Sequence, residues 1–507
     1  MRHNILIITL LLVIALFTSC EDFLKDEPES VMTSVDFYTT PERIEGGILG
    51  CYFGMKAVID YEWIYTELRS DNACVAQVNS GSSERTYQAS CQDFSISPSE
   101  ESLRLYWYYT YQNISNINLV LPAVQDNAFI TSEELRAQYD AELRFMRAHH
   151  YFTLVTLFGD VFKVTDVTGP DDALKITRSS ELEIYNDIII PDLKIAAEGA
   201  PSSQAGDDVG RITKWAAKGL LAKAYMQLGG AENLAMAKTL LEEFVIAESS
   251  PHGLLPTVEE VFDISREMNS EIIFAIRFKR IAGNGSPFFG EFAAADQPYF
   301  PVGTSGGQGN NNPTFELMSQ FASDTADSRN NFVGVYTSNR NYPYHLKYQD
   351  WSIFDADYGE NDWIVLRYAD IVLLYAEVLA QDGNHANAHT YVNIIRERAG
   401  KTLVAAPFTS KTMALDSVYH ERKLELAFEN HRWFDLLRMN TSYSNPNKAM
   451  DILREHTFET DWRLLYRNYQ KIDVPDESNF INERLILPIP QDELDANPGV
   501  ISQNPSY

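Results

Sequence analysis

Residues 211–248 have the sequence RITKWAAKGLLAKAYMQLGGAENLAMAKTLLEEFVIAE, which is typical of two amphipathic helices. Apolar and polar residues recur with helical spacing over 211–228 and 233–248, and two glycines separate the two runs. The same plan returns near the C-terminus, where 363–382 and 385–399 flank a single glycine. The chain therefore contains an internal repeat of one helix pair.

Equivalent positions of the two helix pairs carry similar residues. Two sets share offsets of 0, 3 and 7 along the chain: Ala222, Tyr225 and Gly229, and Ala376, Leu379 and Gly383. This spacing is tetratricopeptide-like: small residues let one helix approach the next, glycine turns the chain, and stacked pairs bury a continuous face. Such scaffolds usually present binding surfaces.

Two further helices are expected at 135–158 and 413–439, where apolar residues recur every three or four positions. Strand patterns are few and short, and the clearest runs from Glu271 to Phe278. The predicted fold class is therefore all-α, a tetratricopeptide-like helical superhelix with long irregular loops.

Two long segments, 69–106 and 279–362, interrupt the helical pattern with Ser, Asn, Gln, Gly and aromatic residues. Loops of this length are usually functional or disordered, and the aromatic content favours ordered binding loops. The glycine-rich run at 303–312 lacks the Lys-Ser/Thr of a phosphate-binding loop and is interpreted as a turn. We divide the chain into a signal peptide at 1–19 and a body at 20–507, with an N-terminal half at 20–270, a loop-rich insertion at 271–362, and C-terminal helices with an extended tail at 363–507.

The first twenty residues indicate the compartment. A short basic start precedes an apolar run from Ile5 to Phe17, which is shorter than the roughly 20 residues that span a bilayer and is typical of a signal peptide. The run leads into Cys20, where a bacterial lipoprotein signal would be cut and the cysteine acylated. We therefore predict a lipid anchor at Cys20; the alternative is a plain secretory peptide that leaves a thiol.

The charge balance excludes one class of partner. The chain has 41 Lys and Arg against 71 Asp and Glu, a formal net charge of −30. Nucleic-acid binding requires a basic surface that displaces the counterions of phosphate, so DNA and RNA are not expected partners.

Three cysteines follow Cys20: Cys51, Cys74 and Cys91. In an oxidising compartment Cys74 and Cys91 would close a short loop as a disulfide. The equal alternative is three buried thiols that pack as small apolar groups.

One predicted helix presents an acidic face that is a candidate for catalysis. Glu421, Glu425, Glu429 and Arg432 are spaced four, four and three apart, and two neighbouring carboxylates are the machinery of a glycosidase. Because arginines surround these carboxylates, ion pairs that join helices are favoured over an active site. The adjacent His149 and His150 have no further ligand at metal-binding spacing, and the chain is predicted not to be an enzyme.

Several segments together resemble one family. They are SCEDFL at 19–24, FYTTPERIEGGILGCYFGM at 37–55, AELRFMRAHHYFTLVTLFGDVF at 141–162, VLRYADIVLLYAEVLAQDGN at 365–384, ERKLELAFENHRWFDLLRM at 421–439 and LILPIPQDELDANPGVISQNPSY at 485–507. In this order they resemble the SusD/RagB family of Bacteroidetes outer-membrane lipoproteins over nearly the whole mature chain. One departure is Phe162, where the family usually has proline.

The resemblance implies an all-helical body with tetratricopeptide-like units, a glycan ligand, a SusC-like TonB-dependent transporter as partner, and no catalysis. It also implies a lipid-anchored protein on the outer face of the outer membrane. Acidic residues after the lipid cysteine resemble the surface-export signal of such lipoproteins: Glu21, Asp22, Asp26, Glu27 and Glu29. No cofactor is implied, and whether a structural calcium is bound stays open.

A site for neutral sugars needs aromatic planes for the ring face and polar groups for the hydroxyls. The two long segments supply both kinds of residue, and the family's binding region maps onto them by position. The predicted ligand-binding residues are Asp71, Asn72, Arg85, Tyr87, Trp107, Tyr299, Phe300 and Trp351. Trp107 is equally compatible with a core position. Peptide import in the manner of RagB is the alternative function, and a glycoside hydrolase is less favoured.

Overall fold

The computed structural model describes residues 37–75, 83–126, 130–247, 249–294, 307–337, 341–350, 359–459 and 475–507. Helices dominate this part of the chain. The first half contains α1 Pro41–Thr66, α2 Ser83–Gln92, α3 Glu101–Asp126, α4 Glu133–Phe158, α5 Pro170–Ala173, α6 Glu181–Ile184, α7 Ile190–Gly199, α8 Lys214–Leu228 and α9 Ala231–Val245. The second half contains α10 Phe288–Phe292, α11 Phe315–Ala322, α12 Tyr368–Gln381, α13 His385–Arg398, α14 Lys411–Glu425, α15 Arg432–Ser442, α16 Lys448–Arg454 and α17 Gln491–Ala496. The all-α prediction is confirmed.

The strands of the described residues are short and pair in twos. They are β1 Ala73–Cys74, β2 Val161–Phe162, β3 Arg178–Ser179, β4 Ile272–Ile276, β5 Asn312–Pro313, β6 Val333–Thr337, β7 Asn341–His345 and β8 Trp363–Arg367. The antiparallel pairs are β1 with β5, β2 with β3, β4 with β8, and β6 with β7. The strand expected at 271–278 is confirmed as β4.

The predicted helix pairs form as expected. Thr213 begins α8 by accepting a hydrogen bond from the backbone nitrogen of Ala216 at 3.4 Å. Gly229 and Gly383 follow α8 and α12 with φ of 66° and 83°, a backbone conformation that favours glycine. α8 packs against α9, α9 against α12, and α12 against α13 and α14, so the two pairs belong to one continuous stack.

The N-terminal helices complete the scaffold. α1 packs against α3 and α4, and α4 packs against α7. Gly54 allows the close approach of α1 to α3, since a Cβ at this position would lie 2.2 Å from Oδ1 of Asn113. Among the described helices, none combines the length and apolar character that a membrane span requires.

Two predicted helices are wrong in part. The expected helix at 363–382 begins five residues late, because the run WIVLR at 363–367 pairs as β8 with β4. The expected helix at 413–439 is two helices, α14 and α15, with a turn between Glu425 and Arg432. The turn is held by other elements: Arg367 and Lys347 donate to the carbonyl oxygen of Glu425 at 2.8 and 2.9 Å.

The long segment at 69–106 is also more regular than expected, because it contains α2 and the start of α3. β4 and β8 join the two ends of the predicted insertion at 271–362. The division into 20–270, 271–362 and 363–507 stays a prediction. The signal peptide at 1–19 and the anchor at Cys20 lie outside the described residues.

The three cysteines are buried thiols, which is the second of the two predicted alternatives. Cys51, Cys74 and Cys91 are buried thiols, and the expected disulfide between Cys74 and Cys91 is not formed. The Cys91 thiol donates to the carbonyl oxygen of Tyr87, one helical turn earlier in α2, at 3.5 Å. Burial raises the pKa of Cys51 to about 12. These thiols therefore act as small packing groups.

Candidate functional site

A large cleft among the described residues lies where α1, α2, α3 and α10 meet. It has a volume of about 490 Å³, within the range of small-molecule sites. We call it the tyrosine cleft, and its lining residues are Asp60, Tyr61, Trp63, Ile64, Tyr87, Glu101, Ser102, Leu105, Pro287, Phe288 and Glu291. Four separate chain segments therefore contribute to one concave surface.

Aromatic rings form much of this surface. Tyr61 and Tyr87 are half-buried, and Tyr61 stacks on Tyr109 of α3 with ring centroids 5.9 Å apart. Trp63 and Phe288 are almost fully buried beneath them and provide a rigid apolar floor. Half-buried tyrosines on a fixed floor offer flat faces for stacking at little cost in side-chain entropy.

Polar groups lie among these rings. Ser102 accepts a hydrogen bond from the Tyr65 hydroxyl at 2.9 Å, and Glu291 accepts one from the Asn310 side chain at 2.5 Å. Glu101 is exposed and lies 3.6 Å from Arg104. The cleft thus combines aromatic planes with carboxylates and a hydroxyl, which is the mixture that hydroxylated rings require.

Asp60 is the carboxylate that α1 contributes to the tyrosine cleft. Part of the residue is exposed, but loss of hydration by its carboxyl group raises its pKa to about 7, while Lys56 acts in the opposite direction. Near neutral pH this carboxyl therefore exists in both forms, and it can donate as well as accept a hydrogen bond.

Tyr87 is the predicted site residue that lies in the tyrosine cleft. Arg85 lies in α2, two residues before Tyr87. Tyr299, Phe300 and Trp351 lie outside the described residues. Of the predicted aromatic site residues that the structure describes, Tyr87 is therefore the one whose surroundings fit the predicted role.

Trp107 does not fit its predicted role. It is 2% exposed, its ring packs against Phe158 and Tyr111 at centroid distances of 4.9 and 4.8 Å, and its Nε1 donates to Glu493 at 3.1 Å. The prediction of ligand contact is corrected here, because this tryptophan is part of the core and anchors the C-terminal segment.

Asp71 and Asn72 are also buried instead of facing a ligand. Asp71 accepts hydrogen bonds from Arg432 at 2.7 and 2.9 Å and from Lys423 at 2.8 Å. Burial disfavours its charge, but Arg432 and Lys423 outweigh this effect and hold the pKa of Asp71 well below its usual range. The predicted ligand-binding role of both residues is therefore corrected. Asp71 joins α14 and α15 to the segment before β1. The backbone carbonyl of the buried Asn72 accepts a hydrogen bond from the backbone nitrogen of Thr314 at 2.9 Å.

Sequence reasoning missed the contributions of α1 and α10. Asp60 and Tyr61 lie in the last two turns of α1, which has no role in the predicted site, and Phe288 lies in the long segment at 279–362 but is not among the predicted site residues. A signal existed in the run DYEWIY at 60–65, where polar and aromatic residues alternate at the end of α1. Its meaning depends on α2 and α10 lying beside α1, which spacing alone does not reveal.

The acidic helix face is structural. Glu425 and Glu429 are fully buried and contact Arg367 at 2.7 and 2.6 Å, and Glu421 contacts Arg329 at 2.7 Å. The expected ion pairs form, but these partners lie on β8 and on the turn before β6; one pair between helices is that of Glu421 with Arg396 of α13 at 3.0 Å. A carboxylate that is enclosed and held by guanidinium groups does not reach a sugar, so these residues do not form the glycosidase site considered above.

The adjacent histidines are buried in the core. Burial lowers the pKa of His149 to about 4 and that of His150 to about 3, so both rings are neutral at physiological pH. Asn113 lies 2.8 Å from Nε2 of His150. No group of three or more His, Cys, Asp and Glu side chains in the described ranges is arranged to hold a metal ion.

Comparison with known proteins supports the relationship suggested by the sequence. Residues 262–507 match the model described as SusD family, and residues 22–226 match a model described as "Starch-binding associating with outer membrane". SusD-like protein P25 of Formosa agariphila is 26% identical over 556 aligned positions, which cover 99% of each chain.

Solved structures agree on the fold. A laminarin binding SusD-like protein superposes with a TM-score of 0.73 at 23% identity, covering 93% of this chain and 100% of that one. Surface glycan-binding protein A from Bacteroides thetaiotaomicron, solved in complex with laminarihexaose, gives a TM-score of 0.71 at 18% identity, covering 92% and 100%. The solved structures share the fold of this chain, and the two family models, which match successive parts of it, together with its full-length relative place it in the SusD/RagB family.

Proposed function

We propose that this protein binds oligosaccharides at the outer membrane and passes them to a SusC-like TonB-dependent transporter without cleaving them. The observation that carries the proposal is the tyrosine cleft, in which Tyr61 and Tyr87 present aromatic faces beside Asp60 and Glu101. Sugar rings have one apolar face and a rim of hydroxyls, so stacking and rim hydrogen bonds are matched in a single site.

The printed names of the relatives support a glycan as ligand. One structural neighbour is described as laminarin binding, and another was solved with laminarihexaose. Because the identities are below 25%, the particular sugar of this chain is left to experiment. The family's description as starch-binding and associating with the outer membrane supports the same class of ligand and the same compartment.

Binding without turnover tests the proposal. The purified mature chain is run through native gels that contain starch, laminarin, xylan or mannan, and the same mixtures are assayed for new reducing ends. We expect retardation by at least one polysaccharide and no reducing ends. Released sugar would contradict the non-catalytic proposal, and absence of retardation in every gel would contradict glycan binding.

Peptide binding is the alternative, as in RagB-like uptake. A mixed peptide library passed over the immobilised chain separates the two functions. The glycan proposal predicts no enrichment of peptides over a column of denatured protein. Selective peptide retention, together with unretarded migration in the glycan gels, would favour the alternative.

The lipid anchor and the outer-face location are separate parts of the proposal. Cells that express the chain are labelled with a palmitate analogue and then treated with protease while intact. We expect label on wild type, none on Cys20→Ala, and digestion of the wild-type protein on intact cells. Full protection from protease would contradict the outer-face location, and label on Cys20→Ala would contradict the anchor.

Delivery to a transporter implies a physical complex. Affinity purification of the tagged chain from detergent-solubilised outer membranes of its own cells is expected to yield a β-barrel TonB-dependent protein in a fixed ratio. Recovery of the chain without such a protein, from membranes that contain the transporter, would contradict this part of the proposal.

A further inference from the structure

A second cleft lies beside the tyrosine cleft and differs from it in charge. It has a volume of about 380 Å³ and lies between α1, the loop before α8, and β4 with the turn that follows it. We call it the basic cleft, and its lining residues are Leu49, Tyr52, Phe53, Met55, Lys56, Asp207, Val209, Gly210, Arg211, Phe274, Ala275, Ile276, Arg277, Phe278, Lys279 and Asn284. Four of these are cationic and one is anionic.

The two clefts adjoin along one face of α1. Phe53, Lys56 and Asp60 are three and four residues apart, a spacing that places them on one side of a helix. Phe53 and Lys56 line the basic cleft, and Asp60 lines the tyrosine cleft one turn further on. Beneath this boundary, Phe278 of the basic cleft packs edge-on against Phe288 of the tyrosine cleft, with centroids 5.7 Å apart.

The basic cleft offers an exposed aromatic plane next to a cation. Phe53 is 55% exposed, which is unusual for a phenylalanine in the middle of a long packed helix. The Lys56 ammonium lies 5.5 Å from the centre of the Phe53 ring and 4.8 Å from that of Phe278. Its hydrogen-bond partner is the neutral side chain of Asn284.

The charges of the cleft are unequally compensated. Arg211 contacts Glu142 at 3.1 Å and Glu45 at 3.0 Å, and Arg277 pairs with Asp362. Lys279 is exposed and has no ion pair with any residue that the structure describes. Two lysines, Lys56 and Lys279, therefore carry positive charge that no carboxylate contacts within the cleft.

The pKa of Lys56 reflects the partial burial of its ammonium group in the basic cleft. Loss of hydration lowers the pKa of its ammonium group to about 8, a change that Asp362 and Asp60 oppose and Arg277 reinforces. An anion placed in the cleft would restore favourable electrostatics to this group. In a chain with a net charge of −30, two lysines without a carboxylate in direct contact are a local source of attraction for a negatively charged group.

We propose that the basic cleft binds an acidic sugar residue, bearing a carboxylate or a sulfate ester, of the same oligosaccharide whose neutral part occupies the tyrosine cleft. Phe53 stacks on the sugar ring, and Lys56 and Lys279 pair with the acidic group. The inference rests on the proposed glycan-binding function and narrows it from oligosaccharides in general to oligosaccharides that contain both acidic and neutral sugar residues.

Three probes of similar length test this proposal by titration calorimetry: hexagalacturonate for the carboxylate, a κ-carrageenan hexasaccharide for the sulfate ester, and neutral laminarihexaose. We expect at least one acidic probe to bind more tightly than the neutral probe. Its affinity falls about tenfold or more in the double variant Lys56→Gln/Lys279→Gln, in keeping with the loss of charge-assisted hydrogen bonds. The variant Lys411→Gln removes an exposed lysine of α14 outside the cleft and is expected to bind as wild type does.

Phe53→Ala separates stacking from charge and keeps both lysines. Since Phe53 is largely exposed, this variant is expected to melt as wild type does and to lose affinity for the acidic probe. Equal binding of acidic probes by wild type and the double lysine variant would overturn the proposal. If neutral glycans bind while acidic probes bind no better, the acidic-sugar inference fails and the proposed function stands; if no glycan binds at all, the proposed function fails as well.

Discussion

Carboxylates in the two parts of the molecule are neutralised in different ways. In the second half, a buried group that we call the ionic core joins α14, the α14–α15 turn, β8 and the segments around them: Glu271, Asp327, Arg329, Lys347, Arg367, Arg398, Glu421, Glu425 and Glu429. Burial disfavours the charges of Glu425 and Glu429, but the surrounding cations outweigh it and lower the pKa of both. Each carboxylate here has a fixed cationic partner.

Along α1 the situation is reversed. Burial raises the pKa of Glu62 to about 7 and that of Glu67 to about 8, and Asp60 behaves in the same way. These groups have few cationic partners, so each carries a proton for part of the time near neutral pH. The ionic core therefore holds its carboxylates charged at neutral pH, whereas the α1 side, where Asp60 lines the tyrosine cleft, keeps carboxyl groups that titrate near neutral pH.

Removing one partner from the ionic core is expected to give the largest effect. Arg367 is fully buried and contacts Glu271, Glu425 and Glu429 at 2.8, 2.7 and 2.6 Å. Arg367→Met leaves three carboxylates without this cation, so the free energy of unfolding is expected to fall by about 3–5 kcal/mol. Urea unfolding followed by circular dichroism measures the change.

The matched control is Arg266→Met, which removes an exposed arginine whose pair with Glu260 spans 2.7 Å. Exposed pairs contribute at most about 1 kcal/mol, so this variant should unfold close to wild type. Equal losses from Arg266→Met and Arg367→Met would show that the buried network has no special role in stability.

The contribution of carboxyl groups to stability is expected to depend on pH with opposite signs on the α1 side and in the ionic core. Glu67 accepts from the backbone nitrogen of Asn430 at 2.5 Å, and its other oxygen has no hydrogen-bond partner. Because its pKa is higher in the folded than in the unfolded chain, the folded state keeps a proton that the unfolded state releases. Stability present below about pH 4.5 is therefore lost as the pH rises through about 8.

Glu67→Gln removes this titration and retains an acceptor oxygen. At pH 8.5 the variant is expected to be more stable than wild type by on the order of 4 kcal/mol, with a difference below about 1 kcal/mol at pH 5. Denaturant unfolding at the two pH values measures both. A variant that is less stable than wild type at pH 8.5 would contradict a protonated Glu67.

The smallest effect on stability is expected at the tyrosine cleft itself. Asp60→Asn imitates the protonated carboxyl, and because Asp60 is partly exposed, solvent screens most of its contribution. The free energy of unfolding should change by less than about 1 kcal/mol between pH 6 and pH 8. A larger loss of stability would show that Asp60 stabilises the scaffold and would contradict this prediction.

The scaffold is predictable from sequence because its signals are local. Helical periodicity and the glycines at 229 and 383 determine both helix pairs, and a strand was expected where β4 lies. The two errors share one cause: β8 and the turn between α14 and α15 depend on partners far along the chain. WIVLR becomes a strand because β4 lies beside it, and the α14–α15 turn is stabilised by Arg367 and Lys347.

The site is less predictable for the same reason. Tyr87 was predicted from its position in the family's binding region, as were Asp71 and Trp107, but the last two are used inside the protein. Whether an aspartate meets a ligand or Arg432 depends on what packs around it, and α15 lies 361 residues away along the chain. Tyr61 was missed because its neighbours in space, Tyr109 and Phe288, come from two other elements.

The most direct test of the account is glycan affinity of the double variant Tyr61→Ala/Tyr87→Ala, measured by gel retardation against the polysaccharide that retards wild type most. The matched control is Tyr391→Ala, a half-buried tyrosine of α13 that packs on Tyr375 outside the cleft. The account predicts that the cleft variant loses roughly 1–3 kcal/mol of binding free energy or more while remaining folded, and that the control binds as wild type does. Unchanged retardation of a folded cleft variant would contradict the tyrosine cleft as the glycan site.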